Sequence, residues 1–447
     1  MHLSLSRSLL VLACAALPIS AHAIDIQRWH TADGTQVLLV ARHDNPIVDV
    51  QISFKGAGAA FNPPGKGEVA DFTAAMLTDG TRTLDEEAFN ARANDLAADI
   101  GSSSSDEGAS IRLRSLSRAD VLQPALKLVN QSLTEPRFDA EVFRRRQNQS
   151  VTALQQNETD PAFVADRAAT LLDYPDHPYG SSARTNEQSL RAVTLADIRA
   201  FHRSRYGKNN AIVAVVGDID RRQTEALVQT VLAGLPAKSS RSAAVPPVPE
   251  RNAQRRDMPF AAEQAQIVMS MPLIRRDDPD YYALVVGNYI LGSGGFDGRL
   301  MKTLRDQYGY TYGAYSNLAP ATEAGAFSIA FSTQKANTAP ALAAAQKVLA
   351  DFVAEGPTEA ELQQAKSNLV GGFPLRFDTN AKLLQYLSLI GFYNLPDDYL
   401  EAYPKAVAAI SSAQIKAAWQ RRVQPQNMNI VVVGADAPKN TDAQSKK

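Results

Sequence analysis

The sequence predicts an α+β fold built from two homologous domains of α/β-sandwich type, and three observations predict it. The first is an internal repeat at an offset of about 217 residues. The apolar run 210–218 returns as 427–435, each time after a helix-like stretch (195–206 and 412–423). Residues 107–113 return as 324–330, and 139–143 return near 359–362. A shared offset marks one unit written twice. The second observation is mixed periodicity, since segments alternating in the manner of half-buried strands interleave with helical stretches. The third is the stretch 236–254, rich in proline, serine and charge without apolar period, which reads as an exposed linker. The domains are then 24–235 and 255–438, with a polar, disordered tail at 439–447.

Taken in order, the first domain is expected to run strand 47–55, helix 67–78, strand 109–117, helices through 120–206 and strand 211–217. The serine run Ser102 to Ser105, followed by Asp106 and Glu107, reads as a flexible polar turn. In the second domain, Gly292-Ser293-Gly294-Gly295 follows the apolar stretch 281–291. It lacks the strand-loop-helix setting and the lysine of a nucleotide loop, so it reads as a plain turn between helices.

Composition narrows the function. The 447 residues carry 46 basic and 47 acidic side chains, a net charge of -1, so no global field favours nucleic acid or an anionic membrane. The chain opens with Arg7, a short apolar run to Pro18 and the small-x-small triplet Ala21-His22-Ala23. That pattern is expected to be a secretory signal peptide, residues 1–23, cut after Ala23 and delivering the chain to the periplasm. A lipoprotein signal cut before Cys14 is the alternative. Cleavage after Ala23 would leave no cysteine, and hence no disulfide or thiolate metal site. No later stretch has the length of a transmembrane helix.

Four histidines follow the leader, His30, His43, His177 and His202, and no two lie within a helical turn of each other. His177, between Asp176 and Pro178, reads as a loop residue. His202 reads as part of a solvated helix face with Arg203 and Arg205. Spacing offers no metal pair, although a site assembled from distant residues stays open.

One segment carries chemistry. Leu300, Met301 and Leu304 have helical spacing, and Arg305 beside Asp306 reads on its own as a solvated arginine. Tyr312 stands among Tyr308, Tyr310 and Tyr315, an alternation that usually means packing on a strand. The seven-residue step from Arg305 to Tyr312, with Leu304 before it and the glycine loop upstream, nevertheless resembles the C-terminal part of the pitrilysin-like (M16, M16B) zinc peptidases. With the repeat, the resemblance covers nearly the whole chain. It implies two M16-type domains facing each other across a cavity.

In that family the first domain carries His-x-x-Glu-His on a helix, two zinc ligands one turn apart with a general base between them. The exit of that helix is recognisable here as residues 76–81, which places the five motif positions on Asp71-Phe72-Thr73-Ala74-Ala75. Asp71 and Ala75 stand for the histidines and Ala74 for the base. The stretch 146–157, where the third ligand would lie, has no carboxylate. The resemblance therefore implies no metal in this chain, with zinc expected in a partner. By the same resemblance Arg305 is a clamp for the substrate backbone and Tyr312 a donor to the oxyanion, both acting in trans. The expectation is the non-zinc subunit of a periplasmic heterodimeric metallopeptidase, inactive alone and acting on unfolded peptides. The alternative is a catalytically inert peptide-binding or assembly subunit of the same fold. A chain that binds metal unconventionally and acts alone is the third reading.

Overall fold

The computed structural model describes residues 24–435. The expected signal peptide with Ala23 and Cys14, and the tail 439–447, lie outside the described residues. Among the described residues, eleven strands form two mixed sheets. In the first half these are β1 (Gln27–His30), β2 (Gln36–Ala41), β3 (Ile47–Lys55), β4 (Asp99–Ser104), β5 (Gly108–Leu116) and β6 (Ala211–Gly217). The second half contributes β7 (Arg255–Pro259), β8 (Gln264–Ile274), β9 (Ala314–Leu318), β10 (Gly325–Gln334) and β11 (Asn429–Ala435).

The strand orders are β1-β2-β6-β3-β5-β4 and β7-β11-β8-β10-β9. Apart from β1, the two orders coincide under the repeat offset. In each sheet the last strand of the half inserts between earlier ones and makes the parallel pair, β2 with β6 and β7 with β11. The remaining pairs are antiparallel. β6 reads Ala-Ile-Val-Ala-Val-Val-Gly and is buried along its whole length, because helices cover both faces of its sheet.

One helix crosses over from each half. The helix Asn380–Phe392 lies on β2, β3 and β6 of the first sheet, while the helix Pro161–Asp173 lies on β8 and β11 of the second. These are counterparts under the same offset. Alternating residues of β2 show the result. Val37 and Leu39 join the first half's core, whereas Leu38 and Val40 join a core shared with Leu383, Leu387 and Ile390. Small residues allow the close approach. Ala165, Ala168 and Ala169 sit on Val268, Val431 and Val433, and a Cβ at Gly391 would stand 2.7 Å from both Ile212 and Leu38.

A polar hub joins the halves at Glu107. Glu107 accepts hydrogen bonds from the Tyr179 hydroxyl (2.6 Å), the Tyr393 hydroxyl (3.1 Å) and the Thr322 amide (3.1 Å). Burial of the two hydroxyls, and after it the Glu107 carboxylate beside them, pushes the pKa values of Tyr179 and Tyr393 upward. Nearby, the 236–254 stretch departs from a fully exposed linker. Val245 is buried against Tyr174 and Tyr179, and the Pro246 carbonyl lies 2.8 Å from His177 Nε2.

The serine run corrects the reading of a flexible turn. Ser102, Ser103 and Ser104 belong to β4 and pair with Ile111, Ser110 and Ala109 of β5. Backbone pairing to a strong neighbouring strand sets the conformation where the side chains give no alternation. His202 is a second correction. It is 9% exposed, its Nε2 lies 2.9 Å from the Leu133 carbonyl, and burial holds its pKa down to about 4. His177, read as a loop residue, caps a short helical turn and is 5% exposed.

Candidate functional site

The motif helix, Val69–Ala75, begins two residues later than expected, and its last turn tightens over Met76–Thr78. Glu68 caps it in a left-handed conformation (φ 58°). Ala74 is fully buried, and Asp71 is partly exposed and accepts a 2.7 Å hydrogen bond from Ser104 Oγ on the edge strand β4.

Two further carboxyls lie in its electrostatic range. Burial pushes Glu68 up and Asp71 adds to this, while a hydrogen bond from Ser150 opposes it. Burial also raises Asp106, helped by Glu107 and Asp71. Ser150 lies on the helix Ala140–Asn157, within the stretch where the family's third ligand would be sought. That helix is fastened to the turn after the motif by the ion pair of Arg146 with Asp79.

The site thus keeps its framework without the donors that zinc needs. Alanine at 74 and 75 offers neither a lone pair nor a proton acceptor, and the carboxyls that remain are pushed toward their neutral forms at Glu68 and Asp106. Among the described residues no group of three His, Cys, Asp or Glu side chains is placed to hold a metal ion. The histidines do not help. His43 Nδ1 pairs with Asp218 Oδ1 at 2.7 Å, and His177 and His202 are engaged with backbone groups.

Arg305 lies on a widely wound helical segment, Met301–Gln307, anchored by buried Met301 and Leu304. Its guanidinium sits over the Phe296 ring, 4.8 Å from the centroid. The chain then turns through Gly309 at φ +63°, a conformation that favours glycine. A second turn is pinned where Thr311 Oγ1 donates to the Gly313 carbonyl (2.9 Å) and accepts from its amide (3.1 Å).

Tyr312, between these turns, precedes edge strand β9 and is 87% exposed. It is therefore not a packing tyrosine. Tyr308 and Tyr310, by contrast, stack at 5.2 Å. Neither Arg305 nor Tyr312 has a side-chain hydrogen bond or ion pair among the described residues. Among the described residues, Phe296, Tyr308, Tyr312 and Tyr315 account for four of the five large exposed hydrophobic side chains, Leu375 being the fifth. Nothing in the tyrosine pattern predicted Phe296 as the platform for Arg305, since the two are separated by a turn.

Two sheets of matching strand order, crossed helices and a first-half helix with Asp71, Ala74 and Ala75 at the motif positions define a two-domain scaffold of the M16 type. Residues 192–369 match the family model described as the peptidase M16 inactive domain. The chain is similar to a peptidase M16 inactive domain of Pseudomonas fluorescens, with 34% identity, a TM-score of 0.88 and coverage of 92% of this chain and 98% of that one. A Helicobacter pylori protein named as the non-peptidase homolog YmxG is 24% identical over 384 residues, 85% of this chain and 87% of that protein. The periplasmic protease PqqL of Escherichia coli shares the fold at 18% identity and a TM-score of 0.77, over 92% of this chain and 45% of that one. The chain belongs to the M16 peptidase family, alongside members described as inactive. No helix among the described residues is long and apolar enough to cross a membrane.

Proposed function

We propose that this chain is the arginine–tyrosine subunit of a periplasmic heterodimeric M16 peptidase, lending Arg305 and Tyr312 to a composite site. The observation that carries this reading is the contrast between the halves. Ala74 and Ala75 stand where the family's first half has its base and a ligand, while the second half keeps Arg305, seated on exposed Phe296, and Tyr312, which is 87% exposed. Large aromatic side chains left this exposed are candidates for contact with another molecule. A similar-sized partner with His-x-x-Glu-His would supply zinc and the general base. Export to the periplasm rests on the leader read in the sequence.

In the composite site Tyr312 donates its hydroxyl hydrogen to the carbonyl oxygen of the scissile peptide as negative charge develops there. A donor aimed at that oxygen is typically worth about 3–4 kcal/mol of barrier. Arg305, steadied on Phe296, grips a neighbouring backbone carbonyl with its planar fork. Substrates would be unfolded peptides added as an extra strand to a free sheet edge, of which β4 and β9 are two, beside β1 and β7.

The test is Tyr312→Phe in a reconstituted pair. A loss of rate on the order of a hundredfold with assembly intact supports the composite site, and an unchanged rate removes it. The relative named a non-peptidase homolog favours a second reading, an inert peptide-binding or assembly subunit in which the pair is merely inherited.

A further inference from the structure

We infer that the second half carries a carboxylate-selective peptide pocket at its own image of the lost metal position. At the repeat offset Asn288 is the counterpart of Asp71, β9 of β4, and the helix Glu359–Gly371 of the helix Ala140–Asn157. A cavity of about 510 Å³ opens among these elements, and Asn288, Ser293, Asn317 and Leu369 help to line it. Where the first half has carboxyls, this cavity has none in its wall and two guanidiniums instead, Arg276 and Arg376.

Arg276 is half-buried and lies over the Tyr281 and Tyr393 rings, at 5.5 and 5.2 Å. Its Nη1 donates to the Tyr281 hydroxyl at 3.0 Å, while its Nε is buried without a partner. Asn288 Oδ1 is likewise buried and unpartnered. Neither arginine has an ion pair among the described residues. Buried polar atoms in folded proteins are nearly always satisfied: the half-buried Arg276 guanidinium, with the exposed Arg376 at the rim, suits a carboxylate, and the Asn288 amide oxygen, an acceptor, suits a peptide N–H. Stacked Phe373 and Tyr403, with centroids 4.5 Å apart, and Tyr386 supply a flat apolar wall beside them. The chemistry fits an extended peptide with a carboxylate next to a large apolar side chain.

A path leads there from the sheet edge. A second cavity of about 310 Å³ lies between Ser103, Ser104 and Ser110 and the helix Asn380–Phe392. It shares Gln385 and Leu389, one helical turn apart, with the first. A peptide on the free edge of β4 would thus meet the pocket along one side of that crossed helix. This inference rests on the peptide-binding part of the proposed function and not on catalysis.

The experiment is fluorescence anisotropy on the full mature chain with short labelled peptides of alternating alanine and phenylalanine. One peptide carries an internal glutamate and an amidated C-terminus, a second has glutamine and a free C-terminal carboxylate, and a third has glutamine and an amidated terminus. Binding of the first or second about tenfold or more tighter than the third is expected, and which of the two leads tells side-chain from terminal carboxylate. Arg376→Gln, on an exposed short helical turn, should abolish the preference without unfolding, and Arg276→Gln should do the same where it folds. Equal binding of all three peptides, or a preference that survives Arg376→Gln, overturns the pocket and leaves the Arg305–Tyr312 reading standing. No binding of any peptide overturns the pocket together with peptide capture by the lone chain.

Discussion

The half-buried Arg305 places its guanidinium over the exposed Phe296 ring, 4.8 Å from the centroid. An exposed ring under a cation holds a long flexible side chain in one region of space at little cost. Phe296→Ala should therefore leave the thermal midpoint of the chain nearly unchanged while raising KM of the reconstituted pair about two- to fivefold, from the loss of about 0.5–1 kcal/mol. Unchanged steady-state kinetics would mean that Arg305 needs no platform.

The crossed helices make the two halves one cooperative body. Gly391 lies so close to Ile212 and Leu38 that a single added carbon meets both at 2.7 Å. Gly391→Val should lower stability by about 2–3 kcal/mol, because the second sheet's helix must lift off the first sheet. Urea unfolding followed by circular dichroism checks this. A neutral or stabilising result would show that the helix repacks freely.

Asp173 gives the junction a pH dependence. It is buried where the helix Pro161–Asp173 meets β11, accepting a 2.8 Å hydrogen bond from Asn429, and burial pushes its pKa up to about 6. The unfolded chain releases this proton first, so stability falls as pH rises from about 4 to about 6 and is level above. Asp173→Asn should therefore gain stability over the parent at pH 7 relative to pH 4.5, by about 2 kcal/mol in urea titrations. His202 acts with the opposite sign. Its pKa is held near 4, so in the Asp173→Asn background stability should drop as pH falls from about 6.5 to about 4. A parent-to-variant difference independent of pH would contradict the assignment to Asp173.

Metal should not stabilise the lone chain. With alanine at 74 and 75, excess zinc or a chelator is expected to shift its melting temperature by less than about 1 °C. A real site at a hundredfold excess over Kd would add about 2.7 kcal/mol, or several degrees. A zinc-dependent rise of that size would reveal ligands that the described residues do not group.

The sequence made the sheets legible because their strands alternate or, as in β6, run apolar without a break. It made the repeat legible because both copies keep their punctuation. The crossing of helices was not legible. An amphipathic pattern such as Pro161–Asp173 or Asn380–Phe392 says that one face is buried but not against which sheet. β4 was hidden because serines carry no strand pattern and β5 holds them in place. The buried state of His202 was hidden because Arg203 and Arg205 beside it suggested a solvated face, although a helix turns neighbours outward and inward within two residues. Arg305 and Tyr312 stand out in the sequence by their spacing alone, whereas Phe296 under Arg305, the Glu107 hub and the Arg276 pocket depend on contacts that no spacing announces.

The most direct measurement is hydrolysis of a quenched unfolded peptide by the mature chain, by a zinc-bearing M16 partner and by the two together, each with and without chelator. Activity in the mixture alone, abolished by chelator, is the expected result. Chelator-sensitive hydrolysis by the lone chain would contradict it.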